Sequence, residues 1–182
     1  MSNKIKISNA TPFWGNGHYY AFTPTLTKWH DAKDYSEQSE INNLHGYLAT
    51  ITSEEENFFI WAYSNNGKVI VDDSFLGGSD QEDTKEGQWL WKTGPELNIN
   101  FLSNKKFNGY ANFRSGQPNS KKNQDYLVIE YKPEEINGVL LGGVWDDRDP
   151  SKRAYISEWG KEGAEHYVKF ANKGSGKNKN GI

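Results

Sequence analysis

Apolar residues recur at helical spacing in the first third of the chain and at strand-like spacing after it. Between Thr27 and Gln38, Trp29, Ala32 and Tyr35 stand three residues apart, which predicts a short helix with one buried stripe. A second helix is predicted from about Glu54. Ser53 offers an N-cap, Glu54 to Glu56 place negative charge and an N3 carboxylate on the first turn, and Phe58, Phe59 and Ala62 follow before Asn65-Asn66-Gly67 ends it. After residue 70 the helical spacing stops. Aromatic and β-branched runs at 74–76, 88–91, 126–131, 139–145 and 155–159 predict strands, and His18 to Phe22, Tyr47 to Ile51 and His166 to Phe170 add further candidates. Two helices followed by many short strands predict an α+β fold.

Only 35% of the 182 residues are hydrophobic but 14% are aromatic, so the core must be built from few, large side chains. That length suits one domain, expected over residues 1–171, and the Gly-, Asn- and Lys-rich residues 172–182 read as a flexible tail or linker. A net charge of −3 argues against a nucleic-acid partner, and no apolar run is long enough for membrane insertion. The absence of cysteine excludes thiol catalysis, zinc-thiolate sites and disulfide staples. The polar start Met1-Ser2-Asn3-Lys4 does not read as a signal peptide, and a module cut from a longer chain would look the same.

Chemistry concentrates in the irregular stretch between Trp91 and Tyr126, whose length in a compact domain points to function or disorder. It holds Gly116-Gln117-Pro118-Asn119 and then Gln124-Asp125, directly before an apolar run. Val144-Trp145-Asp146-Asp147 comes about twenty residues later. These groups offer amide and carboxylate oxygens at loop-to-strand junctions, the hard donor set that calcium prefers over a transition metal. A cis bond before Pro118 is expected, as a rigid turn presenting both neighbours to one ion.

Blander readings hold elsewhere. Glu54 to Glu56 read as helix-start electrostatics, and His18, His30, His45 and His166 have no zinc-like spacing and read as surface or packing residues. The Asn-Gly pairs at 66, 108 and 137 read as turns. Arg114, Lys121, Lys122 and Arg148 surround the oxygen-rich groups and read either as solvated charge or as a carboxylate-recognising set. No phosphate loop or nucleophile elbow is present, so the function expected is binding and not catalysis.

On these residues the chain resembles the C-type lectin-like family. The resemblance covers roughly residues 18 to 160. It rests on Gln117-Pro118-Asn119 and Trp145-Asp146-Asp147, supported in order by Gly46-Tyr-Leu-Ala-Thr-Ile51, Ser74-Phe-Leu-Gly-Gly78, Glu86-Gly-Gln-Trp-Leu-Trp-Lys-Thr-Gly94 and Tyr155-Ile-Ser-Glu-Trp159. The resemblance implies a C-type lectin-like fold, two helices with small antiparallel sheets and a long calcium-binding loop region. It places the main calcium ion on Gln117, Asn119, Gln124, Asp146 and Asp147, and a second on Asp80, Glu86 and Asp125. Ligand contacts then fall to Gln117, Asn119, Gln124 and Asp146, with Lys121 and Arg148 beside them. Tyr126 and Ser157 stand where many relatives have cysteine, so packing and metal must replace disulfides. The chain also looks like the ligand-binding modules near the ends of very large bacterial repeats-in-toxin surface adhesins. That likeness implies an extracellular, cell-surface module of a longer chain whose partner is a peptide or protein C-terminus, or a cell-surface glycan. A metal-independent protein-interaction or ice-binding scaffold is the alternative of another class.

Overall fold

A computed structural model describes residues 9–81, 85–119 and 123–161, together with the backbone of Ile5 and Lys6. The first third carries β1 (Ile5–Lys6), β2 (Thr11–Phe13), β3 (His18–Thr27), α1 (Trp29–Glu37), β4 (Ser39–Ile41), β5 (Leu44–Leu48) and α2 (Glu54–Tyr63). Strands follow: β6 (Ser74–Ser79), β7 (Gln88–Trp91), β8 (Asn100–Ser103), β9 (Lys106–Phe107), β10 (Tyr126–Ile129), β11 (Glu134–Ile136), β12 (Val139–Leu141), β13 (Trp145–Arg148) and β14 (Arg153–Trp159). The fold is α+β, with the two helices where the periodicity places them. The candidate strand at His166 to Phe170, the tail at 172–182 and Lys121 lie outside the described residues.

β14 is the hub. It runs antiparallel to β3, with Tyr19 opposite Trp159 and Phe22 opposite Ile156, so the beginning and end of the fold close on each other. Its C-terminal half also pairs β5, while Ala154 and Tyr155 lie parallel to Ser74 and Phe75 of β6. From β6 the sheet passes antiparallel to β10, and from β10 to β13, which carries Asp146 and Asp147. On its other edge β6 pairs β7, which continues to β8 and β9.

The core is built from large rings, as the composition requires. Trp91 stacks on Phe101 at 4.5 Å between centroids, and Trp145 meets Trp91, Phe101, Tyr110 and Phe113 edge-on at 5.6–6.1 Å. A second cluster under α1 joins Trp29, Ala32, Leu48, Phe75, Tyr126, Val128 and Tyr155. The Trp29 indole N–H donates to Leu76 O at 2.8 Å, fixing α1 on β6.

Several expectations need correction. The buried stripe of α1 is Trp29, Ala32 and Ser36, and Tyr35 is exposed. At 100° per residue, position 36 returns to the stripe where position 35 falls on its flank, and Ser36 Oγ meets Ser157 Oγ at 2.7 Å. Ser53 caps α2 as expected, accepting from Glu56 N–H at 3.2 Å, but the Glu56 side chain itself is buried and Phe58 is exposed. The run 139–145 is not one strand. Asn137 and Gly138, with φ of 52° and 80°, turn Val139–Leu141 back onto β11, and Gly142 then passes so close to Trp61 that a Cβ there would lie 2.5 Å from its ring. Of the Asn-Gly pairs, 66 and 137 sit in left-handed turns, and Asn108-Gly109 bend the chain after β9.

Candidate functional site

The stretch between β9 and β10 is laced onto β13. Trp145 N–H donates to Asn112 O at 2.7 Å, Arg114 N–H donates to Trp145 O at 2.8 Å, and Asn112 Nδ2 donates to Gly143 O at 2.8 Å. Gln117 N–H returns to Arg114 O at 2.9 Å, and the Gln117–Pro118 bond is cis, as expected. The next residue, Asn119, donates its backbone N–H to both carboxylate oxygens of Asp147, at 3.1 and 3.2 Å. Gln124 and Asp125 lead directly into β10, whose Leu127 and Val128 pair with Asp147 and Asp146. Two distant segments are thus held on one strand pair, with Gln117, Asn119 and Gln124 on the loop side and Asp146 and Asp147 on β13.

Three oxygens of this group are left over. Gln117 Oε1, Gln124 Oε1 and Asp146 Oδ1 are buried, and none has a hydrogen-bond partner among the described residues. An orphaned buried acceptor costs about 1–3 kcal/mol. Acceptors of this kind are satisfied by a donor or a cation, and one carboxylate with two amide oxygens suits a hard cation. The donor set therefore fits calcium.

The surrounding charges are paired with one another. Asp146 Oδ2 meets Arg148 Nη1 at 2.5 Å, and Arg148 Nη2 meets Glu130 Oε1 at 2.9 Å. The other Glu130 oxygen is gripped by the Arg114 guanidinium, with Nε at 2.5 Å. Burial raises the Asp146 pKa to about 7. Arg148 works against that shift, and Glu130 and Asp147 add to it. Arg148 stands beside the site as expected, but its guanidinium is committed to two internal carboxylates. Glu130 and Arg114 complete this chain of charges. The signal for Glu130 in the sequence is an acid closing the apolar run of β10.

Asp80, Glu86 and Asp125 also come together. Asp80 N–H donates to Asp125 O at 3.3 Å, Ser79 Oγ to the same oxygen at 2.7 Å, and Gly87 N–H to Asp80 Oδ2 at 3.0 Å. Burial, then the charges of Glu86 and Asp125, raise the Asp80 pKa to about 7 against the pull of the Gly87 hydrogen bond. Asp125 is raised as well, by burial and by the charges of Glu86 and Asp147.

A third group lies in the core where sequence reasoning places none. Ligand atoms of His18, Glu56 and Glu158 lie within 4.8 Å of one another, all three residues buried. His18 Nδ1 meets Glu158 Oε1 at 2.6 Å, and Tyr20 O–H donates to Glu56 Oε1 at 2.5 Å. Thr50 N–H donates to Glu158 Oε2 at 2.9 Å and Thr52 N–H to Glu56 Oε2 at 2.7 Å. These acceptors are thus met from within. The group ties β3, α2 and β14 together: His18 takes a packing role in the core, and Glu56 keeps its first-turn place, accepting the Thr52 N–H, while its side chain turns inward.

No family model matches the chain. Halomucin from Haloquadratum walsbyi is 36% identical over 131 residues, which is 68% of this chain but only 1% of halomucin's length. Lectin BRA-3 from Megabalanus rosa is 29% identical over 139 residues, 75% of this chain and 67% of the lectin. Among solved structures, the C-type lectin CEL-I from Cucumaria echinata superposes with a TM-score of 0.60 at 20% identity, covering 86% of this chain and 98% of CEL-I. By fold, the chain is a C-type lectin-like domain.

Proposed function

We propose that this chain is a calcium-dependent ligand-binding module of a surface adhesin, working outside the cell. Gln117, Asn119, Gln124, Asp146 and Asp147 hold the ion, and the ligand's own oxygens complete its shell. The observation that carries this reading is the set of orphaned oxygens on Gln117, Gln124 and Asp146. When bound, calcium supplies a point of positive charge that accepts further oxygen ligands, for it takes about six to eight. The chain's residues do the rest. β10 and β13 fix the two aspartates, and Asn119 N–H orients Asp147. Arg148, itself held by Glu130, grips Asp146 Oδ2 so that Oδ1 is presented. Two carboxylates among five side chains predict a weak site, with a dissociation constant on the order of 10⁻⁴–10⁻³ M. Asp80, Glu86 and Asp125 are proposed to hold a second ion that braces the same loop region.

The ligand we favour is a peptide or protein C-terminus, whose carboxylate enters the calcium shell near the Arg148 and Arg114 pair. A glycan binding through vicinal hydroxyls is the second reading, favoured by the likeness to BRA-3 and CEL-I, both lectins by name. The likeness to halomucin, a chain of which this module's match is a very small part, supports placing it in a longer surface protein. Calorimetry with calcium chloride, followed by peptide and glycan arrays in calcium and in chelator, tests the proposal. Calcium uptake with chelator-sensitive binding supports it. Ligand binding that ignores the chelator points instead to a metal-independent scaffold.

A further inference from the structure

The connection from β10 to β13 leaves the main sheet and folds as a hairpin of its own. β11 and β12 pair Glu134 with Leu141, Glu135 with Leu140 and Ile136 with Val139, and among the described residues neither strand pairs with any other. Among the described residues each therefore keeps an open edge. The pleat puts Glu134, Ile136, Val139 and Leu141 on one face and Glu135 and Leu140 on the other. Ile136 is 40% exposed, Val139 57%, Leu140 66% and Leu141 41%. A two-stranded sheet is marginal by itself, and proteins blunt open edges with charge or short, twisted strands. Here both acids sit on β11, and β12 is entirely aliphatic.

The hairpin is anchored beside the candidate cation site. Glu134 accepts the Ser115 N–H at 3.2 Å, two residues before Gln117, so the Ile136, Val139 and Leu141 face is the one turned toward that loop. Arg114 reaches the stem at Lys132 O, 3.5 Å away, while gripping the Glu130 that also holds Arg148. The hairpin's base is pressed on α2, with Trp61 Nε1 donating to Tyr131 O at 3.0 Å and Gly142 against the Trp61 ring. An aliphatic strand with a free edge is thus fixed in continuity with the oxygen-donor cluster.

We propose that β12 is the docking edge for an extended segment of a polypeptide partner. The segment adds as a third strand and lays apolar side chains on Val139, Leu141 and Ile136, while an oxygen of the same partner reaches the cation site. This rests on the reading of that site as the ligand site, and it specifies the ligand class. A glycan has no row of peptide N–H and C=O groups to match an open edge, whereas strand addition takes affinity from main-chain bonds and specificity from alternate side chains.

The test is selection of a displayed random-peptide library on the immobilised full chain in calcium. The enriched synthetic peptides are then titrated into the parent, a Val139→Asn/Leu141→Asn variant and Leu140→Asn, which alters the opposite face. Calcium chloride alone is titrated into each chain by calorimetry. The expected result is apolar-alternating peptides whose affinity falls about tenfold or more in the double variant and much less in Leu140→Asn, with calcium uptake equal in all three. In the parent, bound peptide should slow amide exchange at residues 139–141. Peptides that bind the double variant as tightly, or that protect only residues 115–119 and 145–148, overturn the docking edge. So does a hairpin that proves, by sedimentation, to be buried against a second copy of the chain. If the parent takes up no calcium, the site reading itself fails, whatever the peptides do.

Discussion

The backbone N–H of Asn119 donates to the carboxylate of Asp147 across 28 positions of sequence, at 3.1 Å to one oxygen and 3.2 Å to the other. Asp147 is fully buried, so its charge has a job inside the fold: it fixes the residue after the cis Gln117–Pro118 turn. Replacing Asp147 by Ala removes both an anchor for the loop and a proposed calcium ligand. Calcium uptake should fall below detection by calorimetry while far-UV circular dichroism keeps the helical signal of α1 and α2. Asp149→Asn, at a carboxylate held by Ser151 N–H and Arg153, is the control and should bind calcium normally. Equal uptake by Asp147→Ala and the parent would remove Asp147 from the site.

Calcium should stabilise the fold, because the oxygens it satisfies are orphaned in its absence. Binding to the folded chain alone adds RT ln(1 + [Ca²⁺]/Kd), about 2.7 kcal/mol at a hundredfold excess over Kd. The thermal midpoint should therefore climb with calcium and return on adding chelator. Magnesium should substitute poorly, since it needs a tight octahedral shell and sheds water reluctantly. A midpoint that does not respond to calcium in scanning calorimetry contradicts the site.

The His18, Glu56 and Glu158 group gives a pH signature with a definite sign. Burial works against charge on His18, but the Glu158 hydrogen bond and charge and the Lys161 carbonyl outweigh it, so its pKa lies above 6.5. Its contribution to stability is complete below 6.5 and is lost as pH rises through the raised value. Burial, followed by the Glu158 charge, lifts Glu56 to about 8, against the hydrogen bonds from Thr52 and Tyr20. A raised acid favours the folded state while protonated, so this contribution too is complete below 4.5 and disappears through about 8. Asp80 and Asp146, both raised to about 7, add to the decline in calcium-free buffer. Chemical denaturation without calcium should show stability falling from about pH 4.5 to about pH 8, with a shallower slope in Glu56→Gln than in the parent. A stability that rises over that window would show the network's charges to be differently placed.

Much of the fold is legible in the sequence because local signals and burial agree. Ser53 before three acids fixes the start of α2, and the runs of β6, β10 and β14 are buried nearly throughout. The oxygen-donor cluster is legible for a different reason: Gln117-Pro118-Asn119 alone is what a turn selects, but followed by Gln124-Asp125 and Trp145-Asp146-Asp147 it resembles the C-type lectin-like pattern. What escapes the sequence depends on contacts far along the chain. Glu56 looks like an exposed first-turn acid, yet Tyr20 and Thr52 draw it inward. Val139 to Leu141 looks like part of a core strand, yet Asn137-Gly138 and the Gly142 approach to Trp61 fold it outward into the hairpin. His18 reads as unremarkable until β3 and β14 pair and set it against Glu158.

A final prediction concerns how α2 positions the calcium strand. Asn57, buried on α2, accepts the Trp145 indole N–H at 2.7 Å and donates Nδ2 to Gly143 O at 3.0 Å. Trp145 immediately precedes Asp146, so this amide sets the entry of β13 into the site. Asn57→Ala leaves the indole N–H buried without its acceptor, whereas Gly143 O keeps the hydrogen bond from Asn112 Nδ2. The loss should be about 1–3 kcal/mol for the orphaned donor, plus a smaller amount for the cavity. In Trp145→Phe the donor is absent, so adding Asn57→Ala there should cost less than in the parent. A double-mutant cycle by urea denaturation should give a coupling of about 0.5–3 kcal/mol. Calcium affinity should weaken in Asn57→Ala even though the residue touches none of the proposed ligands directly, because the strand that presents Asp146 and Asp147 loses its register pin. Additive costs in the cycle, with unchanged calcium affinity, would mean that packing around Trp145 holds β13 without help from the helix.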